Sequence, residues 1–219
     1  IEQILINSGI KLKLKVGVKE IVGDGKVDGV TLTNGEKIHC DAVILSVGYK
    51  PQSALAKKSG VRTGINGGIW TDEYMRTDNT DIFAVGDCAE KKSFITRKVM
   101  GAMLASTATS EARIAGSNLY KLEMIRTFTG TITIFSTVVG DTGFGSAGLT
   151  EVQAKEEGFD VVSGVFDAFD RHPPTINNTH KQRVKLVVSR KSRIILGGQV
   201  MGGESTGELV NLIGCAIQN

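Results

Sequence analysis

The spacing of apolar and polar positions changes several times along the chain, and each change marks an element. Residues 1–8 read as the end of a helix stopped by Gly9. Residues 11–16 alternate charged and apolar side chains, which predicts a half-exposed strand. Short strands are expected at 18–22, 27–32 and 36–40, joined by turns at Gly23-Asp24-Gly25 and Asn34-Gly35. Asn-Gly is the strongest short hairpin signal. Residues 42–47 are a near-continuous apolar run, read as a strand buried on both faces. Pro51 and the glycines of 60–68 mark a crossing into a new unit, in which 67–71 reads as a strand with Trp70 in a core. After an apolar run at 82–85 and a polar loop at 90–98, Met100, Met103, Leu104, Thr107, Ala108, Ala112, Ala115 and Leu119 recur at helical spacing. That predicts an amphipathic helix of about five turns, rich in small residues.

From Phe128 onward the two-residue period returns. Residues 131–139 are β-branched and read as a strand. Thr150 and Gln153 form a capping box, and Gly158 ends the helix they start. Strands are expected at 161–166, 183–189 and 194–200, with a closing helix at 207–218. Ile1 opens the chain in mid-domain and the helix near 211–219 stops abruptly, so both ends read as cuts in a longer protein.

Composition narrows the class. With 219 residues, 41% of them hydrophobic, 27 Gly and 3 Pro, the chain fits one or two Gly-rich α/β domains. A net charge of +3 gives no reason to expect nucleic acid. No apolar run approaches the ~18 residues that span a membrane. The basic stretch 181–193 is interleaved with Val184, Leu186 and Val188, as in a strand with a solvated face. Cys40, Cys88 and Cys215 form no paired motif and read as buried free thiols, which fits a reducing, cytoplasmic setting. His39 and His180 have no partners at ligand spacing, so no metal site is expected.

The richest segment is 77–87, Thr-Asp-Asn-Thr-Asp-Ile-Phe-Ala-Val-Gly-Asp. An apolar run ends in Gly86, which allows close backbone approach, and Asp87 follows at once. A carboxylate at the carboxyl end of a buried strand lies where open α/β sheets bind ligands. When ionised it only accepts hydrogen bonds, so a hydroxyl-rich partner suits it. For the dipeptide alone, an ordinary Gly-Asp turn is the competing reading. Gly143-Phe144-Gly145-Ser146-Ala147-Gly148 matches Gly-x-Gly-x-x-Gly between a strand and a helix. Its third glycine falls before the capped helix, so it is expected to shape a strand-to-helix turn and not to hold a dinucleotide.

Thr77, Ile82, Phe83, Ala84, Gly86 and Asp87 match the second flavin-binding motif of the pyridine nucleotide-disulfide oxidoreductase superfamily. Residues 41–51, Asp-Ala-Val-Ile-Leu-Ser-Val-Gly-Tyr-Lys-Pro, resemble the strand and Gly-x-x-Pro turn where that family's chain returns from its NAD domain to its FAD domain. The resemblance covers nearly the whole chain and is closest to the NADH oxidase and coenzyme A-disulfide reductase branch. It implies an α/β architecture: carboxyl-terminal pieces of NAD- and FAD-binding Rossmann-like domains at 1–46 and 47–122, then an α+β dimerisation domain at 123–219. The implied cofactors are FAD and NAD(P)H, and the implied assembly is a homodimer through 123–219 that serves a small-molecule electron acceptor.

By the same resemblance Asp87 and Gly86 would face the ribityl chain of the flavin. Met103, Leu104 and Ala105 would place a helix amino terminus at the isoalloxazine pyrimidine edge, and Gly48 would lie beside the nicotinamide nucleotide. No catalytic residue is expected here. The branch's redox cysteine lies in an amino-terminal domain that this chain lacks, and His172-Pro173 sits too early to be the family's terminal His-Pro. The stretch 175–179 has no tyrosine where coenzyme A-disulfide reductases carry one, which leans toward an NADH oxidase. The chain alone is expected to be inactive. A non-catalytic dimerisation module and a ferredoxin- or rubredoxin-reductase type flavoenzyme remain as alternatives.

Overall fold

Two turns with glycine in the left-handed region fold residues 18–39 into an antiparallel meander. The computed structural model describes residues 1–122 and 127–219 and divides into two units, Ile1–Tyr49 and Lys50–Asn219. In the first unit, helix α1 (Glu2–Asn7) precedes Gly9 at φ 82°. Strands β1 (Val18–Val22), β2 (Gly29–Leu32) and β3 (Lys37–His39) pair in the order β1-β2-β3. Gly35, at φ 88°, turns the second hairpin as Asn34-Gly35 predicts.

Two expected strands of this unit do not form. Residues 11–16 join no ladder: Lys15 turns to φ 59°, Lys13 pairs with Glu36 at 2.7 Å, and the hydrogen bonds to Thr33 come from the next residue, Gly17. Residues 42–47 are not a strand either, and Ile44 and Val47 are 93% and 88% exposed. A strand buried on both faces needs neighbours on each side, and no described segment of this unit supplies them.

The second unit begins with helix α2 (Ala54–Lys58) and an irregular stretch to residue 90. Neither 67–71 nor 82–85 is a strand. They are held by single bridges, Thr63↔Ile69, Ile69↔Ala89 and Arg76↔Phe83. Val61, Ile69, Ala84 and Ala89 form a small core there. Trp70 is half-buried, with the Arg62 guanidinium 4.8 Å above its ring, and so is not a core residue. The expected polar loop is a short hairpin of β4 (Lys91–Lys92) and β5 (Val99–Met100). Met100 therefore belongs to a strand, and helix α3 is confined to Ala105–Ser117.

Apart from residues 142–148, the rest of the second unit follows its sequence pattern closely. Strands β6 (Ile134–Val139), β7 (Thr142–Gly148), β8 (Val161–Phe169), β9 (Lys181–Ser189) and β10 (Ile195–Gly202) pair antiparallel in the order β6-β7-β10-β9-β8. Helix α4 (Glu151–Glu156) starts at the expected capping box, with Thr150 Oγ1 accepting from the Gln153 N–H at 3.2 Å. Helix α5 (Thr206–Gln218) covers one sheet face through Thr206, Val210, Gly214 and Ile217.

The Gly-x-Gly-x-x-Gly segment is not a turn; it is strand β7 itself. Gly143, Gly145 and Ala147 alternate toward α5, and a Cβ on Gly145 would stand 3.0 Å from the Val210 Cβ. The small residues let helix and sheet approach closely, which is the reason for the motif here. Cys40 and Cys88 are half-buried and Cys215 is exposed, so the expectation of three buried thiols fails; all three are free. Among the described residues no helix is long and apolar enough to cross a membrane.

Candidate functional site

Residues 77–87 build their turn from local hydrogen bonds. Thr77 Oγ1 donates to the Asn79 carbonyl at 2.9 Å, and the Thr77 N–H donates to the Ile82 carbonyl at 2.9 Å. This small loop sets the chain into the extended run 82–85, in which Ala84 is buried and its N–H meets the Met75 carbonyl. The run then closes in a single 3-10 turn, Gly86–Cys88, with Gly86 at φ 73°. An L side chain rarely takes that conformation, so glycine is required there for its backbone freedom.

Asp87 is exposed and accepts no hydrogen bond from a described residue. The sequence places it at the tip of a buried strand; it stands instead on the turn that follows an extended segment.

Behind the turn lies helix α3. Its amino terminus follows Leu104, which provides no side-chain cap, and Ala105 is its first residue. Uncapped N–H groups with the positive end of a helix dipole favour an electron-rich ligand. Met103 and Leu104 are half-buried and Ala105 is exposed. Gly86 packs onto the same helix, where a Cβ would lie 3.6 Å from that of Ala108. The structure thus brings Gly86, Asp87 and the start of α3 to one place. Gly48, at φ 93°, belongs to the other unit.

The sequence reading missed the most deeply buried polar pair, Lys91 and Glu111, which are 2% and 0% exposed. Lys91 Nζ lies 2.9 Å from Glu111 Oε1 and 3.0 Å from Oε2. Only the second contact is aligned as a hydrogen bond, which leaves Oε1 satisfied by charge alone. Oε2 also accepts from the Gly86 N–H at 2.7 Å, and Nζ donates to the carbonyls of Gly86 and Ala89. Burial pushes the Glu111 carboxyl above its ordinary range, and the Lys91 hydrogen bond opposes that rise. A signal for the pair was present. Glu111 stands four residues after Thr107 and four before Ala115, so a carboxylate interrupts the buried stripe of α3.

Among the described residues no cluster of His, Cys, Asp or Glu could hold a metal ion. His172 lies in the exposed 170–179 connection between β8 and β9. His180 Nδ1 is 3.2 Å from Asp170 Oδ2, a pair that closes the base of the same connection.

Comparison with known proteins supplies the context. The model of the pyridine nucleotide-disulphide oxidoreductase family matches residues 1–112, and that of its dimerisation domain matches residues 134–219. The NAD(P)H coenzyme A polysulfide/persulfide reductase of Pyrococcus horikoshii is 34% identical over 89% of this chain and 43% of its own length. The NADH oxidase of Enterococcus faecalis is 32% identical over 100% of this chain and 48% of its own length. Among solved structures, a NAD-dependent persulfide reductase from A. fulgidus superposes with a TM-score of 0.91 at 32% identity, covering 99% of this chain and 40% of that one. The water-forming NADH oxidase of Lactobacillus brevis, solved with NADH bound, gives 0.89 at 28% identity, covering 100% and 47%. The chain spans less than half the length of these relatives. On these matches and on its α/β architecture, the chain belongs to the pyridine nucleotide-disulphide oxidoreductase family.

Proposed function

We propose that these residues are the carboxyl-terminal portion of an FAD-dependent oxidoreductase that oxidises NAD(P)H and passes the electrons to oxygen, a disulfide or a small carrier. The observation that carries this reading is the Asp87 carboxylate, exposed and without a hydrogen-bond partner among the described residues, on a Gly86 turn packed against α3. Asp87 accepts hydrogen bonds from the flavin's polyol hydroxyls, and Gly86 lets the ligand approach the backbone. Met103, Leu104 and Ala105 present the uncapped α3 amino terminus to the electron-rich edge of the flavin ring. Bound FAD supplies the transfer of hydride and electrons between nicotinamide and acceptor. Gly48 lines the nicotinamide nucleotide in the NAD-binding part, 1–46 and the turn after it.

An NADH oxidase suits residues 175–179 better than a coenzyme A-disulfide reductase does, since they contain no tyrosine. The homodimer forms through 123–219. Register puts Phe135, Val165, Phe169 and Met201 on the sheet face away from α5, and all four are exposed. They alternate on that face with Lys181, Arg183 and Lys185, a mixed apolar and basic surface that suits contact with a second copy. A cytoplasmic setting belongs to the same reading.

The test is the visible spectrum of the purified full-length gene product, followed by a screen of oxygen, disulfides and ferredoxin- or rubredoxin-type carriers. Flavin absorbance that is lost on Asp87→Ala supports the reading. A colourless protein, or an Asp87→Ala variant that keeps its flavin unchanged, overturns it. The 219-residue chain by itself is expected not to turn over NADH with added FAD.

A further inference from the structure

Both polar groups of the Gly86 backbone are held by one buried ion pair. Glu111 takes its N–H and Lys91 takes its carbonyl, with a second Lys91 bond to the Ala89 carbonyl across the turn. Burying two charges forfeits their hydration, and apolar residues of like volume would fill the same space without that loss. Stability therefore does not by itself account for the pair. What the pair does is specific: it grips the residue before Asp87 from both sides and leaves the carboxylate outside, in solvent.

We propose that Lys91 and Glu111 are positioning residues that preset the 86–89 turn for the polyol arm of the flavin. The proposal rests on the reading of Asp87 given above. Neither residue touches the ligand. Glu111 acts as a hydrogen-bond acceptor for the Gly86 N–H, a role that an amide oxygen also fills. Lys91 acts as a donor to two carbonyls, a role that an apolar side chain cannot fill. An aspartate at 111 keeps the charge but is one methylene too short to reach Gly86.

The test uses the full-length flavoenzyme, stripped of FAD and titrated with it while flavin fluorescence is followed. Thermal unfolding of each apoprotein is measured in parallel. Glu111→Gln is expected to bind FAD within about threefold of the parent, because the acceptor is retained. Glu111→Asp is expected to bind about tenfold more weakly. The double variant Lys91→Met/Glu111→Leu is expected to unfold near the parent temperature yet also bind FAD about tenfold more weakly. That combination separates positioning from folding, and it decides the matter alone if Glu111→Asp does not fold. Tight binding by the double variant, or tight binding by Asp with weak binding by Gln, overturns the proposal. A parent protein that binds no FAD overturns the flavin reading instead.

Discussion

Residues 134–219 and residues 61–90 bury backbone by opposite means. The first region uses a five-stranded antiparallel ladder whose strands run for six to nine residues, with α5 seated on glycines. The second has isolated bridges, two small apolar clusters and, behind its functional turn, a buried ion pair. In the ladder each backbone bond has neighbours that repeat it, so losses are shared. In the Gly86 turn, the Gly86 carbonyl also accepts from the Ala89 N–H, but among the described residues the Gly86 N–H is held by the Glu111 side chain alone. Local redundancy therefore marks the scaffold, and its lack marks the candidate site.

Substitutions probe that contrast. Glu111→Ala leaves Lys91 charged and buried, and is expected to cost about 3–5 kcal/mol in denaturant unfolding. A loss below about 1 kcal/mol would mean that the turn does not depend on the pair. Gly197→Ala attacks the ladder, because a Cβ there would stand 2.0 Å from the Leu149 carbonyl oxygen. The expected loss is about 2–3 kcal/mol, arising from overpacking. Gly86→Ala meets only an ordinary contact, 3.6 Å from Ala108, so its cost comes from the left-handed backbone alone, about 1–2 kcal/mol. Equal losses at Gly86 and Gly197 would erase the distinction between a glycine required for its φ and one required for space.

The smallest expected effect is a pair of opposite pH slopes. Glu151 on α4 is held down to about 2 by hydrogen bonds from Lys155, Lys185 and Ser163. The unfolded chain then binds the proton more readily, so this contribution is full above the ordinary carboxylate value of 4.5 and fades as pH falls toward about 2. Glu111 is raised by burial, so the folded state binds the proton more readily and its contribution declines as pH rises above 4.5. Stability-versus-pH curves should flatten on the acid side for Glu151→Gln and above the ordinary range for Glu111→Gln. Two variants that change the same limb would contradict these environments.

The capping box at Thr150, the α5 pattern and the order of strands 161–202 were readable because antiparallel neighbours lie close in sequence and alternate visibly. The order within 77–82 is local for a different reason: the Thr77 hydroxyl bonds the Asn79 carbonyl, and the Thr77 N–H bonds the Ile82 carbonyl. The strand readings at 42–47, 67–71 and 82–85 failed because an apolar run states only a demand for burial. It does not say which neighbours will meet that demand.

Local pattern was thus enough for the strands near 18–39 and 161–202, for the Thr150 capping box and for the residues offered at the Gly86-Asp87 turn, because each of these acts over a few neighbouring positions. Packing in space settled that Gly143 and Gly145 serve the helix contact, and that α3 begins at Ala105. It alone joined Lys91 to Glu111, twenty positions further along the chain. Those outcomes depend on which surfaces meet in space, and a one-dimensional pattern carries no term for contact between distant residues.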